Sequence, residues 1–142
     1  MKLINFIICD DIRNELGNKN SLMGVYDNTI EFRVTPDKEN TWPKTMRLGI
    51  YARIRIYEDK DITHFKLRTF FNDKETIIGE GILNSPAMKQ LKKNIVILHN
   101  AFVFENLGII KFSFDFYNKN DEIVESLHPD FSLEIKETVI NK

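Results

Sequence analysis

The sequence predicts an all-β fold, a single-domain antiparallel β-sandwich of about eight to ten strands with one short helix, immunoglobulin-like or a related Greek key. Three observations carry that prediction. From Met46 to Tyr57 the residues alternate strictly, with Met46, Leu48, Ile50, Ala52, Ile54 and Ile56 on one face and Arg47, Tyr51, Arg53, Arg55 and Tyr57 on the other. Turn-forming residues recur between short apolar runs, at Asp27-Asn28, Asn72-Asp73-Lys74, Asn106 to Gly108 and Asn118 to Asp121. Eleven phenylalanines supply bulk for a core between two sheets. A closed β-barrel satisfies the same pattern, and alternation alone does not separate the two.

Taken in order, Leu3 to Cys9 reads as a short strand that leaves the core at the acidic pair Asp10-Asp11. Either aspartate can cap one helical turn through Ile12 to Leu16, ended by Gly17. Ser21 to Tyr26 and Thr29 to Val34 follow as a hairpin turned at Asp27-Asn28. Pro36 to Pro43 is a loop with one helical turn begun at Pro36, and Trp42 at its end reads as a plug closing one end of the sandwich, with a ligand-contacting aromatic as the alternative. The long strand Met46 to Tyr57 pairs with Ile62 to Phe71 across the charged turn Glu58 to Asp61, again as a hairpin. Thr76 to Leu83 is a strand whose Gly79 and Gly81 mark a bulge or a close backbone approach. Asn84 to Asn94 carries the helix signal, with Ser85 as N-cap and Pro86 at the first position. Ile95 to Phe104 is apolar on both sides apart from His99 and Asn100, the pattern of a central strand. Ile109 to Tyr117, Ile123 to Leu127 and a last strand with Phe131, Leu133 and Ile135 on its apolar side complete the chain.

With 142 residues, 42% hydrophobic and 29% charged, the chain fits one domain over residues 1–142 that builds its core without staples. A net charge of −1 argues against bulk attraction to nucleic acid or anionic lipid, and leaves room for a local patch. The single cysteine, Cys9, fits a reducing compartment, so the expected localisation is cytoplasmic. The apolar opening Leu3 to Cys9 is broken by Asn5 and has Ile8 before the cysteine, which reads as a strand and not a leader; no run reaches membrane-span length.

Two constellations are candidates for function. From Lys44 to Phe71 seven Lys or Arg face three Asp or Glu, and Arg47, Tyr51, Arg53, Arg55, Tyr57, His64, Lys66 and Arg68 read as one basic, aromatic sheet face. Such a face can engage a protein partner or stack single-stranded nucleic acid, or it can pair with acidic neighbours on strands bearing Glu31, Asp115 or Glu134. The second is the stretch Cys9 to Asp27, where Asp10, Asp11, Arg13, Glu15, Lys19 and Asp27 lie between two apolar runs. It reads as a structural clasp in which Arg13 bridges carboxylates, with a polar site for a small ligand, a cation or a reaction in the 9–27 loops as the alternative.

The residues CDDIR, Glu15, Lys19 and SLMGVYD resemble the opening signature of a family of small uncharacterised bacterial proteins, over about residues 3 to 27. The resemblance implies a bacterial single-domain protein, a domain of unknown function, and transfers no catalytic residue. His64, His99 and His128 form no zinc spacing, Cys9 has no neighbouring histidine, and there is no GxSxG, P-loop or GxGxxG. No cofactor and no metal are therefore expected. The sequence favours a non-enzymatic binding module for a protein partner, acting through the basic face or an exposed sheet edge, over a nucleic-acid binder, a ligand sensor or an enzyme.

Overall fold

A computed structural model describes residues 1–57, 61–83 and 92–141. Its ten strands are β1 (Lys2–Glu15), β2 (Lys19–Val25), β3 (Thr29–Val34), β4 (Lys44–Arg55), β5 (His64–Phe71), β6 (Lys74–Ile82), β7 (Lys92–Phe104), β8 (Gly108–Tyr117), β9 (Ile123–Leu127) and β10 (Ser132–Val139). They form two sheets, a four-stranded one in the order β2-β1-β4-β7 and a six-stranded one in the order β3-β10-β8-β5-β6, with β9 also paired to β8. The fold is a β-sandwich, as the alternation predicts, and not a single closed barrel.

Several elements differ from the sequence reading. The strand β1 does not stop at Asp10-Asp11. It runs on to Glu15 and forms a hairpin with β2, pairing Ile12 with Leu22 and Glu15 with Lys19. The expected helical turn through Ile12 is absent because Ile12 is 7% exposed in this hairpin, and burial outweighs the cap signal. Gly17 and Asn18 turn the chain with φ of 83° and 57°, the left-handed region those two residues tolerate. Two expected hairpins are instead crossings between sheets: β2 and β3 lie in different sheets, and so do β4 and β5. One pair, β3 with β10, is parallel, so the sandwich is not wholly antiparallel. The predicted helix over Asn84–Asn94 falls mostly outside the described residues, and its last three residues begin β7; the charged turn from Glu58 lies outside them as far as Lys60. The 3₁₀ turn at Pro36–Lys38 lies where the proline signal placed one.

The chain forms two compact units: Met1–Phe6, Ala52–Ile95 and Lys111–Phe131 make the first, and Ile7–Tyr51, Val96–Ile110 and Ser132–Lys142 the second. In the first, β5 lies between β6 and β8, and the inward residues of β5 and β8 make an aromatic core. Phe6 packs at centroid distances of 5.1, 5.9 and 5.6 Å on Phe112, Phe114 and Phe131, and Phe65 lies against Phe114 and Phe116. The register between β5 and β6 slips at Leu67/Arg68, the bulge that Gly79 signalled. Gly81 sits opposite Phe65, where a Cβ would come within 2.7 Å of the ring.

In the second unit Phe32 packs edge-on against Trp42 and Phe104, and Phe102 lies 4.9 Å from Phe104. Lys44 Nζ stands 4.8 Å from the Trp42 ring and 3.2 Å from Glu137 Oε2. The Asn40 N–H donates to the same carboxylate at 2.9 Å, which joins the loop before β4 to β10. That N–H and Lys44 hold the Glu137 carboxyl below its usual range.

Candidate binding surfaces

The basic residues do not share a face. Arg47, Tyr51, Arg53 and Arg55 lie on β4 of the four-stranded sheet with Tyr57 just beyond it, whereas His64, Lys66 and Arg68 lie on β5 of the six-stranded sheet. The sequence reading joined them because alternation shows which side of a strand a residue takes, not which sheet the strand joins.

On β5 the outward residues meet their cross-strand neighbours on β8. Arg68 donates from Nε to Asp115 Oδ2 at 2.8 Å, from Nη2 to the Tyr117 hydroxyl at 2.9 Å, and pairs through Nη1 with Glu75 at 3.1 Å. Ser126 on β9 donates to the other Asp115 oxygen at 2.6 Å. His64 stacks on the Tyr117 ring with an interplanar angle of 8°, its Nε2 is 2.9 Å from Asp121 Oδ1, and Lys66 Nζ lies 5.2 Å from the same ring. Tyr117 is buried beneath this layer. The pairing with the Asp115 strand that the sequence offered as an alternative is what β5 adopts, and an anionic ligand would have to displace it.

On β4, Arg53 donates to Asn94 Oδ1 at 3.0 Å and Arg55 is half-buried with its Nε out of reach of solvent. Tyr51 is 7% exposed, so this side of β4 is not the uniformly wet face that the alternation suggested. A second apolar cluster accounts for that. Cys9, Ile12 and Tyr51 pack together with Ile7 and Leu22, beside Gly49, where a Cβ would come within 3.1 Å of Cys9 Sγ. The thiol lies within hydrogen-bonding reach of the Asp11 and Gly49 carbonyls, and burial pushes its pKa up, favouring the protonated thiol.

The Cys9 to Asp27 stretch is a hairpin, not a pair of loops, and its charges are spread along it as separate pairs. Asp11 accepts from Arg47 Nε at 3.2 Å and Nη2 at 2.9 Å, and Arg47 also reaches Asn100. This fork holds the Asp11 carboxyl below its usual range. Arg13 stands 3.6 Å from the other Asp11 oxygen, with 67% of its side chain exposed. The contact on Asp11 that the sequence reading gives to Arg13 is made by Arg47, and Arg13 is peripheral. Tyr26 donates to Asp10, burial and that carboxylate push its pKa up, and Gly24 leaves room for the Asp10 side chain. Ser21 donates to Glu15 at 3.1 Å, and Asp27 is exposed. Among the described residues no three His, Cys, Asp or Glu side chains converge as a metal site.

Sequence reasoning found β7 but misplaced it in its sheet. Its Ile95 to Phe104 run suggests a central strand, yet it ends the order of the four-stranded sheet. Ile95, Phe102 and Phe104 are buried, while Val96, Leu98 and Val103 are 41%, 39% and 51% exposed. Its polar residues Asn94 and Asn100 accept hydrogen bonds from Arg53 and Arg47 of β4. The signal was the doubly apolar run itself, which specifies that both faces want cover and leaves open whether this chain supplies it. Among the described residues no helix is long and apolar enough to cross a membrane.

No protein-family model matches the chain, and neither does any curated protein. Among solved structures the chain is similar to a Niemann-Pick type C2 protein from Japanese carpenter ant, with a TM-score of 0.44 and 10% sequence identity over 94% of this chain and 91% of that one.

Proposed function

We propose that the chain is a non-enzymatic binding module that engages a protein partner by accepting a strand of it along the outer edge of β7. The observation that carries this is that β7, the terminal strand of its sheet among the described residues, carries apolar residues on both faces and, although Asn94, His99 and Asn100 are polar, holds neither a proline nor a charged residue from Asn94 to Phe104. Edge strands of stable folds are ordinarily blunted by charges, prolines, bulges or shortness. The other edges of the two sheets carry such devices: Glu31 and Arg33 on β3, the register slip with Glu75 and Glu80 on β6, Lys19 and Gly24 on β2, and on β9 shortness together with Glu125. An unguarded edge offers backbone hydrogen bonds for affinity and alternate side chains for selectivity.

The test is selection of peptides from a random display library against the purified chain, followed by hydrogen exchange. The expected result is enrichment of extended apolar peptides that slow exchange of the Val96 to Phe104 amides, with binding lost on Ile97→Pro. Peptides that protect other strands and leave β7 exchanging freely overturn the reading.

A further inference from the structure

We infer that the strand accepted by β7 is β7 of a second copy of this chain, running antiparallel about a twofold axis between His99 and Asn100; this rests on the edge-binding reading above. The burial pattern of the strand supports it. Ile95 faces inward and Val96 and Leu98 outward, but beyond His99 the phase slips by one: Asn100 and Ala101 are both exposed, and the inward positions become Phe102 and Phe104. In an antiparallel pair, directly opposed residues point to the same side of the sheet. With Val96 opposite Val103 of the copy, Leu98 meets Ala101 on the outer face and Ile97 meets Phe102 on the inner one, so on both sides of the axis exposed residues meet exposed ones and inward residues meet inward ones; at the axis itself, where the phase slips, His99 meets the exposed Asn100. The same register brings the Lys93 end of each strand alongside the Glu105 end of the other, opposite charges at both ends of the seam. Such an interface is isologous, each residue pair occurring twice, and it joins two four-stranded sheets into one continuous sheet.

Sedimentation equilibrium of the purified chain and of Val96→Lys, Val103→Glu and the double variant tests this, with circular dichroism melts to verify folding. Wild type is expected to be dimeric. Each single variant, monomer-folded because both positions are exposed, should dimerise at least about tenfold more weakly, since the change falls on two symmetric pairs at once. The double variant should recover dimer, because each introduced lysine then faces an introduced glutamate across the seam. An equimolar mixture of the two singles should likewise form mixed dimers held by one such pair. A dimer indifferent to Val96→Lys and Val103→Glu, or singles not rescued in combination, places the contact elsewhere and overturns the inference. A monomer at all concentrations that still binds β7-protecting peptides also overturns it and leaves the edge-binding reading intact. A monomer that binds none overturns both.

Discussion

Gly81→Ala is expected to destabilise the protein, although alanine suits a strand better than glycine does. Gly81 lies opposite Phe65 on the neighbouring strand, and an added Cβ would stand 2.7 Å from Cε1 and 3.1 Å from Cζ of that ring. Carbon atoms in contact prefer about 3.5–4.0 Å, so the ring has to move by roughly 1 Å. It is not free to do so: Phe65 is 6% exposed and lies against Phe114 and Phe116, both fully buried. Overpacking of this kind costs about 1–3 kcal/mol, and the reduced freedom of the unfolded chain returns about 0.4–1 kcal/mol, leaving a net loss of about 1–2 kcal/mol. For a domain of this size that lowers Tm by about 3–6 °C. Urea denaturation of Gly81→Ala, Phe65→Leu and the double variant isolates the cause, because the smaller leucine makes room for the methyl. The double variant should be more stable than the sum of the two single losses predicts, by about 1 kcal/mol. A Gly81→Ala protein as stable as wild type, or strictly additive losses, would refute the reasoning.

Three further outcomes are expected. Arg47→Ala should lower the thermal midpoint and raise the Asp11 pKa measured by NMR, while Arg13→Ala moves both far less, because only Arg47 forks onto Asp11. A carboxyl whose folded pKa is depressed adds stability that is present above its unfolded pKa, about 3.9, and is lost as pH falls through the folded value, so the gap between wild type and Arg47→Ala should close on acidification below about pH 4. Tyr26, whose pKa is raised by burial and by Asp10, adds stability that is present below the ordinary tyrosine value of about 10 and is lost as pH rises past it; ultraviolet titration should show one late tyrosine that vanishes in Tyr26→Phe. Asp115→Ala should cost about 2 kcal/mol in denaturant unfolding, since it strips Arg68 Nε and Ser126 of their acceptor, whereas Glu75→Gln, half-exposed, should cost under about 0.5 kcal/mol.

Much of the fold was written in side-chain period. The alternation of β4, β5 and β8 placed Leu48, Ile50, Leu67, Phe114 and Phe116 inward, and all five are fully buried. What period does not encode is the partner of a strand. Asp27-Asn28 and the charged turn before β5 announce reversals of the chain, but a reversal serves a hairpin and a crossing between sheets equally well. The Asp10-Asp11 pair looked like the end of a strand because its compensating cation, Arg47, is 36 residues away in sequence and adjacent only in the fold. For the same reason the clasp was assigned to Arg13, the nearest basic residue. The β7 edge was invisible because a run covered by a neighbouring strand and one awaiting cover have the same composition.

The parallel pairing of β3 with β10 sets when folding can finish. Thr29 is paired with Glu134, far along the sequence, so no part of that ladder forms until β10 is in place. On a ribosome, β3 emerges well before β10 and waits as a bare edge until that strand is synthesised, while β5 and β6, joined by Asn72-Asp73, can zip locally. The strand β3 is thus held in trust by β10, and a pause in synthesis before Ser132 would expose β3 before its partner strand exists.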